Sequence, residues 1–224
     1  MSAPDAREQY KEAYRRQCNE LARRYIVRDI IPDSAQFVFL LESPHIQELK
    51  HGAPVSGSSG SSMSRHLFGE AYARMPLGII VKKNVDERLR RPSLDRIGLM
   101  NSCNIPMQQT AYGDPAVHSQ YAELLGILEK LRSANDRTAH SDQTLGIVQE
   151  IIAGSLRRRL QNLAGRTLYM IPCGRLAQKF FKLADVSSEH WQVIHGVPHP
   201  SYNNWSKPDY APVIERLTAA FRER

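Results

Sequence analysis

Four polar stretches of this chain carry residue types that can do chemistry. The first is Leu41-Glu42-Ser43-Pro44-His45, a carboxylate and an imidazole directly after an apolar run. A carboxylate placed there can orient a water or offset a cation; in isolation the same residues describe a turn with a solvated Glu. The second runs from Gly52 through Pro54, Val55, Gly57, Ser58, Ser59, Gly60 and Ser61 to Ser62. Small residues let backbone N–H groups approach a phosphate, and a helix N-terminus favours the anion. No Lys-Ser/Thr follows the last Gly, so the stretch is not a P-loop, and it holds no GxSxG nucleophile elbow. The third is Met100-Asn101-Ser102-Cys103. An Asn amide carries a donor and an acceptor and can read a base edge bidentately, although Asn is also a common turn former. The fourth spans His195 to Trp205, where Gly196, Pro198 and Pro200 forbid a helix. His195 and His199 therefore do not form a metal pair on one helical face. A His between prolines suits an oriented donor, and Tyr202 and Trp205 can stack on bases or wedge into a duplex. The plainer alternative is a packed loop with one buried aromatic.

The elements that must position these stretches follow from apolar spacing. Tyr10, Tyr14, Cys18, Leu21 and Tyr25 mark one face of a helix over about residues 5 to 28. Phe37 to Leu41 is a continuous apolar run, which reads as a buried parallel strand. A loop follows, and a helix is expected to start among Ser61, Ser62 and Ser64, burying Met63, Leu67 and Phe68. Residues 76 to 95 read as an irregular basic excursion. Ile97 to Met100, Thr167 to Ile171 and Gln192 to Ile194 read as further strands. Helices are marked by Tyr121, Leu124, Leu125, Leu128 and Leu131, by Leu145 to Leu163, and by Val213 to Phe221. Strands alternating with helices predict a three-layer α/β/α fold around a mainly parallel sheet. Ligands of such folds sit beyond the carboxyl ends of the strands, where the four stretches fall.

The chain has 224 residues, 42% of them hydrophobic and 24% charged, which fits one soluble domain with a sizeable core. No apolar run approaches the roughly 18 residues of a membrane span, and the N-terminus lacks a signal-peptide core. The three cysteines lie far apart with no CxxC pair, which argues against disulfides or a zinc ribbon and for a reducing cytoplasm. The net charge is +7, and residues 151–184 alone carry seven basic side chains and no acid. Arg157, Arg158, Arg159 and Arg175 lie in that segment. A solvated helix face and a phosphate track are both compatible with it.

In their order, the four stretches resemble the motifs of the uracil-DNA glycosylase superfamily. The closest branch reads GEAPG and then, ten residues beyond the Glu, GxPFxGxAG. Here Glu42 is followed ten residues on by Gly52-x-Pro54-Val55-x-Gly57-x-x-Gly60. Asn101 falls where that branch has its base-reading Asn after a strand, and His199-Pro200-Ser201 matches its final HPS. Residues 167–177 resemble the strand, Gly and helix that precede it. The resemblance spans roughly residues 36–206.

The resemblance implies a uracil-DNA glycosylase-like fold and a monofunctional DNA glycosylase that acts as a monomer, without metal or cofactor. The target base must be flipped out of the stack. His199 would donate to the base carbonyl as negative charge develops, and Glu42 would orient the attacking water. Asn101, His45, Val55 and Ser43 would line the base pocket. Gly57, Ser58, Ser59, Gly60, Ser61, Ser201, Tyr202, Asn203, Asn204 and Trp205 would meet DNA, with Arg157, Arg158, Arg159 and Arg175 on the phosphates. The chain departs from the branch in four places. Leu41 and His45 replace glycines, the iron–sulfur cysteines are missing apart from Cys103, and Val55 replaces an aromatic. Losing that ring forfeits about 1–3 kcal/mol of stacking and enlarges the pocket. A modified base larger than uracil, such as a hypermodified pyrimidine of phage DNA in a defence role, is therefore expected. A uracil glycosylase of base-excision repair and a non-catalytic DNA-binding relative are the alternatives.

Overall fold

The computed structural model describes residues 3–223. Four strands form one all-parallel sheet: β1 (Phe37–Leu41), β2 (Ile97–Asn101), β3 (Leu168–Pro172) and β4 (Trp191–Val193), in the order β2-β1-β3-β4. β1 is central, pairing with β2 from Phe37↔Ile97 to Leu41↔Asn101 and with β3 from Phe37↔Tyr169 to Leu40↔Pro172. All five of its side chains are buried, as a run of apolar residues covered on both faces requires.

Strand alternation divides the interior into two cores. Phe37, Phe39, Leu41, Ile97, Leu99 and Ile171 point to one face. There they meet α3 (Ser58–Phe68), α4 (Leu77–Asp86) and α10 (Ala211–Arg222). Val38, Leu40, Met100 and Met170 point to the other face. That face is covered by α1 (Ala3–Tyr25), α7 (Ala122–Ser133), α8 (Gln143–Gln161) and α9 (Arg175–Ala184). The three-layer α/β/α arrangement expected from the sequence is therefore present. The chain leaves β1 toward β2 and then crosses back to β3. This reversal places the switch point at the carboxyl ends of β1 and β3, the usual ligand position in open parallel sheets.

Three local expectations change. A short helix, α2 (Ile46–His51), occupies part of the expected loop, and α3 starts at Ser58 rather than among Ser61, Ser62 and Ser64. The expected irregular excursion holds α4 and the short α5 (Pro92–Asp95). Leu77, Val81 and Asn84 bury one face of α4, a helical spacing that the basic residues around it obscure. The short α6 (Pro115–Gln120) precedes α7, capped by the Asp114 carboxylate.

Two glycines set the close approach between these helices and the loop before α3. A Cβ on Gly60 would lie 1.7 Å from the Val55 carbonyl oxygen, and one on Gly78 would lie 1.8 Å from that of Pro54. Gly60→Ala is thus expected to lose about 3 kcal/mol, because backbone must move to admit the methyl. Thermal unfolding measures this; an unchanged midpoint would show that α3 can shift freely.

Candidate active site

Glu42 leaves the end of β1 half-buried, and its Oε1 accepts from Nε of Arg132 near the end of α7. Arg132 is held in turn by Gln108, whose amide oxygen accepts from Nη2 at 2.7 Å and from Nη1 at 3.1 Å. Asn101 ends β2 opposite Leu41 and is completely buried. Its Nδ2 donates to Glu48 Oε2 at 3.1 Å, and the Val55 N–H donates to Glu48 Oε1. Glu48 sits on α2 with 7% of its surface exposed. Burial pushes its carboxyl up to about 7, against the opposing pull of the hydrogen bonds from Val55 and Asn101.

Val55 is unusual in its backbone. Its φ of 49° lies in the left-handed region, which a β-branched residue adopts only at a cost of order 1–3 kcal/mol. Packing over-determines it. Glu48 holds its N–H, Gly78 N donates to its carbonyl at 3.2 Å, and its side chain is buried in the core that contains Phe39 and Leu41. The sequence places Val55 as a pocket wall; the structure packs its side chain into that core and turns its backbone toward Glu48.

His199 approaches from the far side of the switch point. Gly174, with φ 90°, follows β3; a Cβ there would lie 2.7 Å from the His199 Cβ. The loop carrying His199 is pinned along its length. Gly174 N and Gln178 Nε2 donate to the Val197 carbonyl, Trp205 Nε1 donates to Pro198, and Asn204 Nδ2 donates to His199 O. The Ser201 N–H reaches His199 Nδ1 at 3.3 Å, with Ser201 Oγ at 2.8 Å. A backbone N–H can only donate, so Nδ1 accepts and the ring proton sits on Nε2. Burial holds the ring below its ordinary pKa; Glu42 opposes that shift and Arg132 adds to it. The result is a neutral imidazole with a fixed Nε2–H donor, in the field of a Glu–Arg pair.

Beside this loop, a groove of about 270 Å³ is lined by Ser58, Ser59, Ser61, Arg65, Ser201 and Tyr202, among others. Gly57 caps α3 without any side-chain bond, so the first-turn N–H groups are uncapped by side chains. Arg65 Nη2 donates to Asn203 Oδ1 at 2.8 Å and to Ser206 Oγ at 2.7 Å. Tyr202 is 89% exposed, at φ 53°.

Several expected positions fall elsewhere. Trp205 is buried against Phe39 and His66, so it cannot wedge into a duplex; Tyr202 is the exposed aromatic of this loop. Gly60 is buried under Val55 and contacts no ligand surface. Asn204 bonds the His199 carbonyl and Lys207 and holds the loop from within. His45 is exposed at the start of α2, and Ser43 Oγ accepts from Met107 N at 3.4 Å.

The arginine track does not lead to the switch point. Arg159 donates to both oxygens of Asp29 and to the carbonyls of Asn101 and Ser102, a half-buried structural tie. Arg157 Nε donates to the Ala184 carbonyl at the end of α9, while His199 packs at the helix's beginning, about 15 Å away for ten residues. Arg157 and Arg158 line a cleft of about 620 Å³ between α1 and α8; Glu42, Asn101 and His199 do not line it. Arg157, Arg158 and Arg175 are exposed, and of these Arg175 lies beside Gly174 at the start of α9. Arg159→Gln is therefore expected to lower thermal stability by about 2–4 kcal/mol, since it strands the half-buried Asp29 carboxylate. An unchanged melting midpoint would contradict the tie.

The sequence reasoning overlooked Glu48, Arg132 and Arg65. Among the described residues, no group of three or more His, Cys, Asp or Glu is placed to hold a metal, and no helix is long and apolar enough to cross a membrane. Comparison with protein-family models, curated proteins and solved structures finds no match to this chain.

Proposed function

We propose that the protein is a monofunctional DNA glycosylase that hydrolyses the N-glycosidic bond of a flipped, modified pyrimidine larger than plain uracil. The observation that carries this reading is His199: a half-buried neutral imidazole whose Nε2–H is fixed by the Ser201 backbone, in the field of Glu42. Cleavage of the bond leaves a base anion and a cationic sugar. A neutral donor fixed in advance stabilises the anion without first giving up its proton. Glu42 offsets the sugar cation and orients water, and Asn101 reads the base edge. Tyr202 fills the vacated stack, while the α3 N-terminus, Arg65 and Arg175 hold phosphates. The bulkier base rests on the sequence alone, which has no aromatic at position 55; the Val55 side chain itself packs into the core.

The deciding experiment is mass spectrometry of free bases released from chemically diverse genomic DNAs, including phage DNAs with hypermodified cytosine or thymine. Release of such a base by the parent chain, and its loss with Glu42→Gln, supports the proposal. Release of uracil alone supports the repair alternative. The Glu42–Arg132 ion pair favours one further reading, a non-catalytic DNA binder whose carboxylate is already neutralised. Tight DNA binding without release of any base supports that reading.

The phosphate contacts have their own test. Removing Arg65 and Arg175 together is expected to reduce the slope of log affinity against log salt by about 2, whereas removing Arg158 leaves it unchanged. Equal effects would return the phosphate track to α8.

A further inference from the structure

We infer that Glu48 is a positioning residue that sets the orientation of the Asn101 amide, and thereby selects which hydrogen-bonding edge a base must present. The inference rests on the glycosylase reading above and names the selectivity of that same site.

Asn101 is fully buried at the carboxyl edge of β2, one strand from Glu42. Its Nδ2 is committed to Glu48, while its Oδ1 is buried and accepts no hydrogen bond in the protein. A buried amide oxygen left unpaired costs the full desolvation of that group unless something meets it. What remains for a ligand is an acceptor, so the ligand edge must bring an N–H.

The orientation is not a free choice of Asn101. Glu48 Oε1 is already engaged by the Val55 N–H, the residue whose left-handed backbone aims that donor at the carboxylate. Where the carboxyl is ionised, above about pH 7, Oε2 is a pure acceptor, and only Nδ2 of Asn101 can satisfy it. Reversing the amide would set two oxygens against each other. The strained Val55, the carboxylate and the amide form one chain of directed bonds ending at Oδ1.

A glutamine at position 48 reverses this logic. Its oxygen must face the Val55 N–H, so its amide nitrogen faces Asn101. Asn101 then turns its own oxygen toward residue 48 and presents N–H to the ligand.

The test is run at pH 8.5, where Glu48 is ionised, with full-length protein and oligonucleotides carrying one 2′-fluoro-arabino nucleotide, whose glycosidic bond resists cleavage. The paired probes carry 5-hydroxymethyluracil or 5-hydroxymethylcytosine. They share a 5-substituent and have opposite donor–acceptor order at ring positions 3 and 4. The parent chain is expected to favour one probe about tenfold. Glu48→Gln is expected to reverse that preference. The pair Glu48→Gln with Asn101→Asp keeps both internal bonds, returns an acceptor to the site and restores the parental preference. An equal loss of affinity for both probes with Glu48→Gln, their ratio unchanged, leaves Glu48 a structural support and overturns the inference. If the single variant does not fold, a folded double variant with a reversed or erased preference overturns it as well. A parent chain that binds both probes no better than unmodified DNA defeats the glycosylase reading, and this inference with it. Base release by a parent chain whose preference Glu48→Gln leaves unaltered defeats the inference alone.

Discussion

His199→Ala is expected to release base at least about a hundredfold more slowly than the parent chain while binding DNA with similar affinity. The size follows from the role: removing one donor aimed at a developing anion costs about 10²–10³ in rate. Gln178, Trp205 and Asn204 pin the loop through backbone carbonyls, so the scaffold does not depend on the imidazole. His199→Gln, which keeps an N–H at the end of a side chain, should fall between. Ser201→Ala is the more discriminating variant. It deletes the hydroxyl 2.8 Å from Nδ1 but keeps the backbone N–H that fixes the tautomer. Its rate should therefore stay within about tenfold of the parent, as for one hydrogen bond of about 1 kcal/mol. Because burial holds the ring below its usual pKa, the donor stays neutral across pH 7 to 9 and that limb of the profile should be flat. Single-turnover rates read all of this. A His199→Ala chain as fast as the parent would end the assignment of His199 as donor.

The sequence made the strands and their order of chemistry legible for identifiable reasons. Phe37 to Leu41 is apolar at every position because β1 is covered on both faces, a pattern few other structures produce. Glu42, Asn101 and His199 were visible because polar residues follow buried strands or sit between prolines. Glu48 was not. It lies on a six-residue helix too short to show periodicity, and an isolated Glu there reads as solvated. Its burial depends on Val55 adopting a left-handed backbone that no β-branched residue advertises. Arg132 reaches Glu42 across 90 residues of sequence, so nothing local signals the pair. The basic segment misled for the same reason in reverse. Arg159 serves carbonyls and Asp29, and a guanidinium that satisfies backbone looks in sequence like one that binds phosphate. Trp205 shows the limit of reading aromatics: two stood in one loop, and only packing against Phe39 decides which is buried.

Glu48→Gln is expected to remove the loss of stability that the Glu48 carboxyl imposes on the parent chain as pH rises from 4.5 to about 7. The Glu48 carboxyl moves from an ordinary value of 4.5 to about 7 on folding. Below pH 4.5 it is protonated in both states and contributes no pH-linked penalty. Between 4.5 and 7 the unfolded chain ionises while the folded chain holds the proton, so stability falls as pH rises. Above 7 both are ionised, and the full penalty of a buried carboxylate is present, up to about 3 kcal/mol at 1.36 kcal/mol per pKa unit. For a chain of this size that corresponds to a midpoint difference of about 6–12 °C between the two ends of the window. His199 works in the opposite direction: its lowered pKa costs stability as pH falls below 6.5. The parent curve therefore superposes two trends, and the difference between parent and Glu48→Gln isolates one. Thermal melts of both chains from pH 4.5 to 8.5 should show that difference shifting toward the variant with rising pH and levelling off above 7. A difference that does not vary with pH would mean that Glu48 stays ionised throughout. It would then behave as a conventional carboxylate well served by the Val55 and Asn101 hydrogen bonds.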